Sequence, residues 1–274
     1  MRLTTKIITG IILSIFLISL TFIIGFSFTD RKTYSSSNIN DIELPQDNMT
    51  SIELAAFKTI VIDEIQQESQ NHSFSIRDFS SVNFDSIPEE NNPDMLFIPE
   101  SLKDFIIINT SDDTLTIKLN INELGAKYKS QNFRYQYISG INMRFCTSKI
   151  DVINKLRRLS VNIKNIETDS IKIKSHGKVF IDSCKVQFMD PFMEAGYERL
   201  KITNCDIKRI NLDLDHIHSW NIEKCNIEER FFTGSRGHNI ILHNEPAKIN
   251  WIPKNENAAL NIKIQGDTTQ IIIQ

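Results

Sequence analysis

Cys146, Cys184, Cys205 and Cys225 are the residues best equipped for chemistry in this chain, and all four lie after residue 140. With Asn165, Asn244 and Gln265 they form a series, Cys146, Asn165, Cys184, Cys205, Cys225, Asn244, Gln265, in steps of 19, 19, 21, 20, 19 and 21 residues. Structural zinc needs four converging ligands, usually from pairs two to four residues apart. Steps near 20 give a row of thiols instead. Neighbouring strands lie about 4.8 Å apart, inside the disulfide range, and an export compartment permits oxidation. Cys184–Cys205 and Cys205–Cys225 therefore stay open beside the plainer reading, a ladder of buried unpaired thiols.

A second cluster is Asp213, Asp215, His216 and His218, in the run Asn-Leu-Asp-Leu-Asp-His-Ile-His from Asn211. Alternate residues of a strand point to opposite sides. The two acids then share one face and the two histidines the other, so no single site gathers all four. A glycan-cleaving enzyme needs a carboxylate pair or a base displayed together. The recurring positions Asp182, Thr203, Glu223 and Ser183, Asn204, Lys224 are mixed and form no such pair. No phosphate loop, nucleophile elbow or His-Glu-x-x-His motif is present. No catalytic residue, metal ligand or cofactor is expected. Phe188, Phe192 and Tyr197, with Met189 and Met193, fall in what reads as an insertion after Cys184. They form either a partner-binding patch or a loop folded over the core edge.

The elements that must position these residues are repeats. Val179-x-Ile181-x-x-Cys184-x-Val186 matches Leu200-x-Ile202-x-x-Cys205-x-Ile207 and Trp220-x-Ile222-x-x-Cys225-x-Ile227. Apolar residues two apart face one side of a strand, and a unit of this size buries them only by stacking on its neighbours. Residues 141–274 are therefore expected to form a right-handed parallel β-helix with coils of about 20 residues. The same spacing suits a leucine-rich repeat, but the return segments, such as Ile210-Asn-Leu212-Asp-Leu214, read as strands. Residues 50–140 read as a β-rich first part, with a hairpin turn at Asp112-Asp113 and an exposed excursion over 80–94. Residues 127–137 show no clear pattern.

At the N-terminus, Arg2 and Lys6 precede an uncharged run from Ile7 to Phe28, long enough as a helix to cross a bilayer. Residues 1–29 are expected to be an uncleaved signal anchor, and the polar residues 30–49 a linker. Net charge is -3, with Lys and Arg spread along the chain, which argues against a nucleic-acid partner.

Three stretches resemble the auto-transporter adhesin family with the head GIN domain. Leu54-Ala-Ala-Phe57-Lys-Thr-Ile60-Val-Ile62 is similar to its opening strand. Phe105-Ile-Ile-Ile108 with Asp112 to Ile117 is similar to its hairpin, and Gly140-Ile141-Asn142 spells the tripeptide. The chain departs from the family in being poor in Gly and Ser. The resemblance implies a β-helical, exported protein with an adhesive role and supplies no catalytic residues. The expected function is a non-enzymatic envelope module binding a protein or glycan. The competing readings are an envelope ligand sensor and a carbohydrate-binding or carbohydrate-active β-helix. The apolar C-terminal strand, ending at Gln274, favours self-association.

Overall fold

The runs that alternate apolar and polar residues are strands. Leu159-Ser-Val-Asn-Ile-Lys164 buries Leu159, Val161 and Ile163 and turns the residues between them outward. In the computed structural model, residues 41–45, 48–65, 73–77, 79–86, 93–129, 135–194, 199–217, 219–243, 247–265 and 271–273 are described. They form an all-β structure of several sheets with one 3-10 helix, Glu100–Phe105, and one α-helix, Ile121–Tyr128. Asn120 caps the α-helix by accepting from the Glu123 N–H at 3.2 Å. The expected membrane segment lies outside the described residues. Among those described, no helix is long and apolar enough to cross a membrane. Within the stretch read as a linker, Ile42 and Leu44 are buried.

Two large sheets carry the repeats. In the eight-stranded sheet, Leu159–Lys164, Val179–Asp182, Arg199–Thr203 and Ser219–Glu223 pair in parallel, in chain order. In the ten-stranded sheet, Ile150–Asn154, Glu167–Ser175, Lys185–Met193, Asp206–Asp213, Asn226–Gly234 and Ala247–Pro253 do the same. The return segments are thus strands, which excludes the helical returns of a leucine-rich repeat. Inward residues stack in columns. Val161, Val179, Leu200 and Trp220 form one, and Ile163, Ile181, Ile202 and Ile222 another.

The first part of the chain enters the same sheets out of sequence order. Strand Ser80–Asp85 lies between Asn142–Cys146 and Leu159–Lys164, in parallel with both. Thr59–Glu64 lies between Thr114–Leu119 and Ile150–Asn154. The stretch read as an exposed excursion therefore begins with a core strand, in which Val82 and Phe84 have no exposed surface. The Phe84 ring stacks on Phe145 at 4.9 Å between centroids, with 6° between planes. Ile106–Ser111 and Thr114–Leu119 form the expected hairpin, and Asp112 and Asp113 have φ of 49° and 61°. Two consecutive left-handed residues match the twist of the flanking strands. The stretch without a pattern, 127–137, ends the α-helix and starts strand Tyr135–Ser139.

Corner positions repeat as well. The register Asn142↔Ser81↔Ser160 aligns Gly140, Phe79 and Arg158, whose φ values are 83°, 80° and 64°. Glycine adopts that conformation without strain, whereas a side chain with a Cβ is crowded there. Phe79 is nonetheless 90% exposed.

Candidate interaction surfaces and a cationic cleft

The cysteine series divides in the structure. Asn165, Ser183, Asn204 and Lys224 have φ of 54°, 54°, 54° and 53° and form the corners that close Leu159–Lys164, Val179–Asp182, Arg199–Thr203 and Ser219–Glu223 in the eight-stranded sheet. The next residues, Ile166, Cys184, Cys205 and Cys225, are successive corner positions. The Lys185 N–H donates to the Ile166 carbonyl, that of Asp206 to Cys184, and that of Asn226 to Cys205. Asn165 thus precedes the thiol column by one residue, and Ile166 takes its place in it. Cys146 is displaced further. It pairs with Asp85, which pairs with Lys164, which pairs with Asp182, so Cys146 stands two residues before the position of Cys184. Asn244 lies outside the described residues, and Gln265 ends strand Ala259–Gln265 opposite His243. Sequence spacing near 20 survives a slip of one or two residues, but side-chain direction does not.

The column is closely bonded. The Cys184 N–H donates to Sγ of Cys205 at 3.4 Å, and the Cys205 N–H to Sγ of Cys225 at 3.5 Å. Each thiol points at the carbonyl two residues before it, at 3.3 Å for Cys184, 3.1 Å for Cys205 and 3.2 Å for Cys225. The hydrogen bond shared with Cys184 pushes the Cys205 thiol up to about 11 and the Cys184 thiol below its ordinary value. Cys205 is a donor held in place and a poor nucleophile at neutral pH.

Phe188 and Phe192 are not in an insertion. Both are half-buried on strand Lys185–Met193, whose inward residues include Met189 and Met193. Tyr197 lies outside the described residues. Phe188 pairs with Arg209 on the next strand. The Arg209 guanidinium lies 5.7 Å from the Phe188 ring centroid and 3.8 Å from that of Phe231, one strand further on. Arg209 also donates to Asn211 at 3.3 Å. Phe192 packs against His216, with ring centroids 4.3 Å apart. Arg209, the centre of this arrangement, was not singled out from sequence; its register partners are Phe188 and Glu229, and Phe231 lies two places beyond Glu229.

Asp213 and Asp215 meet residues from later in the chain. Lys254 Nζ donates to both Asp213 oxygens at 2.7 and 2.8 Å and to Asp215 at 3.0 Å. Asp215 also accepts from the Ser235 N–H at 3.0 Å and lies 3.1 Å from His238 Nε2. His218 lies outside the described residues. Burial alone would raise the Asp215 carboxyl, but the Ser235 N–H, the Lys254 ammonium and His238 outweigh it and hold the group far below the usual carboxylate range. A carboxylate so held is a corner clamp and a poor proton donor. Because its folded value is depressed, its stabilisation is complete above the unfolded value near 4 and is lost as pH falls through the folded one. Asp215→Asn is expected to destabilise by about 1–3 kcal/mol at pH 7. That gap should narrow below about pH 4, as read by urea unfolding at each pH.

A cleft of about 440 Å³ opens elsewhere, lined by Phe74, Ile121, Tyr137, Leu156, Arg157 and Arg158, with Glu64, Lys155 and His176 also on its walls. Lys155 pairs with Asp63 at 2.8 Å, and His176 with Glu194 at 2.7 Å. Arg77 and Arg158 both lie over the Tyr137 ring, at 5.4 and 5.5 Å. None of these residues was singled out from sequence, since the cleft joins segments far apart in the chain. Among the described residues, no group of three or more His, Cys, Asp or Glu is arranged to hold a metal ion.

No protein-family model and no curated protein matches the chain. Several solved structures are similar to it. A candidate adhesin from Bacteroides fragilis is 14% identical over 84% of this chain and 100% of that one, with a TM-score of 0.48. A candidate adhesin from Parabacteroides distasonis is 11% identical over 85% and 100%, with a TM-score of 0.46. A candidate lipid-binding protein from the same organism is 10% identical over 85% and 99%, with a TM-score of 0.40.

Proposed function

We propose that this chain is a non-enzymatic interaction module of the cell envelope. In this reading the stacked sheets are a right-handed parallel β-helix, anchored through residues 1–29, and the outer face of the ten-stranded sheet receives a protein or glycan partner. The observation that carries the reading is the Phe188–Arg209–Phe231 cluster, in which Phe188 is the register partner of Arg209 and Phe231 reaches it diagonally from two places beyond Glu229. It sets an arginine between two aromatic rings on three paired strands. Arginine and large aromatics on a rigid support are the usual anchors of binding energy, and strand pairing means little ordering cost on binding. The engagement of Asp213 and Asp215 by Lys254 supports a non-enzymatic role. The resemblance to the GIN-domain adhesins points the same way. Strand Ile271–Ile273 is the last in its sheet, and self-association through its outer edge is part of the proposal.

The test is binding of the full chain, in detergent, to a panel of glycans and envelope proteins, with turnover assayed on the same samples. The expected result is saturable binding without turnover, weakened about tenfold or more by Arg209→Ala and by Phe231→Ser. Depolymerisation of a glycan, or affinity unchanged in both variants, would overturn the reading.

A further inference from the structure

We propose that the cleft between Tyr137 and Leu156 binds a small organic oxyanion, a carboxylate or phosphate ester, with its charged end at Arg157 and Arg158 and its apolar body against Phe74 and Ile121. This site stands apart from the Phe188–Arg209–Phe231 cluster and does not depend on it.

Charge placement is the first argument. The cleft carries three cationic side chains besides His176. Lys155 is engaged by Asp63. Arg157 and Arg158 are both exposed, and among the described residues neither pairs with a carboxylate. Two arginine side chains lining one concavity, against the single carboxylate of Glu64, suit an oxyanion, which takes several N–H donors.

The backbone is the second. Arg158 has a φ of 64° at a corner whose aligned positions on the next two strands are Phe79 and Gly140. Strain of this kind clusters at ligand sites. Here it aims an arginine at Tyr137, whose ring lies 5.5 Å from the guanidinium. The third is the floor. Phe74, Ile121 and Leu156 come from a strand, a helix and a corner, and Leu156 is 3% exposed. Bare phosphate would leave this apolar surface unused. A volume of about 440 Å³ falls in the range of small-molecule clefts.

The test is calorimetric titration of the full chain with phenyl phosphate, beside inorganic phosphate and benzyl alcohol. Arg158→Gly removes the guanidinium and suits the left-handed corner, so it should melt no lower than the parent chain. Arg157→Gln is the second variant. Expected are saturable binding of phenyl phosphate, affinity about tenfold lower in each variant, and about tenfold weaker binding of both comparison ligands. No heat with phenyl phosphate, equal affinity in the variants, or inorganic phosphate binding as tightly as phenyl phosphate would overturn the proposal. Phosphatidic acid vesicles separate two sources of the ligand. Co-sedimentation in excess of that with phosphatidylcholine vesicles, lost in Arg158→Gly, supports a lipid head group, and phenyl phosphate binding without that excess supports a soluble anion. Phe231→Ser should leave all of these results unchanged, so failure here and failure of the aromatic cluster are read separately.

Discussion

Phe84→Ala is expected to remove about 3–5 kcal/mol of stability, read as the shift of a urea unfolding curve. The ring has no exposed surface and stacks on Phe145. Its strand is held on one side by Asn142–Cys146 and on the other by Leu159–Lys164, so the cavity left by truncation has no loop to collapse it. Five residues earlier, Phe79 is 90% exposed with a φ of 80°. Phe79→Ala should change stability by less than about 0.5 kcal/mol. Similar values for the two variants would mean that residues 80–85 are not in the stack.

Gly177→Ala should cost about 3 kcal/mol, for a different reason. A methyl on Gly177 would overlap the Leu159 carbonyl oxygen, a backbone atom that cannot swing aside. That oxygen already accepts from Asn154 Nδ2 at 2.9 Å, and Asn154 also donates to Ser175 Oγ at 3.1 Å. Ser175 Oγ in turn accepts the Gly177 N–H at 3.0 Å. Asn154 and Ser175 are fully buried, so relief of the overlap would break hydrogen bonds that water cannot replace. Gly237→Ala is the matched control. A Cβ there meets nothing within 4 Å, and the expected change is neutral or a gain of up to about 1 kcal/mol. Thermal melting of both variants checks the pair.

The parts of this fold that could be read from sequence are those whose partners lie on the next parallel strand, about 20 residues away. Val179-x-Ile181, Leu200-x-Ile202 and Trp220-x-Ile222 repeat because each stacks on the next. The Asp112-Asp113 turn was legible because a hairpin is local. Ser80–Asp85 was not. Its inward residues are Ser80, Val82 and Phe84, a weak signal beside a polar, proline-containing stretch, and its partners lie about 60 and 80 residues away in the chain. Cys146 shows the opposite error. Its spacing fitted the series while its register was out by two, because a count of residues does not fix which side of a corner a side chain occupies. The partners of Asp215 were within reach of the same arithmetic, since Ser235 is one coil on and Lys254 nearly two. The cleft had no such signal, because it joins three strands, a helix and two corners that share no sequence pattern.

Native-state hydrogen exchange on the full chain tests most directly the claim that one interleaved stack holds these surfaces rigid. Amides of residues 81–84 are predicted to exchange as slowly as those of 161–163 and 179–181, since all three segments lie in one parallel ladder. If residues 81–84 exchange at the rate of an open loop while the later repeats stay protected, the interleaved stack is contradicted.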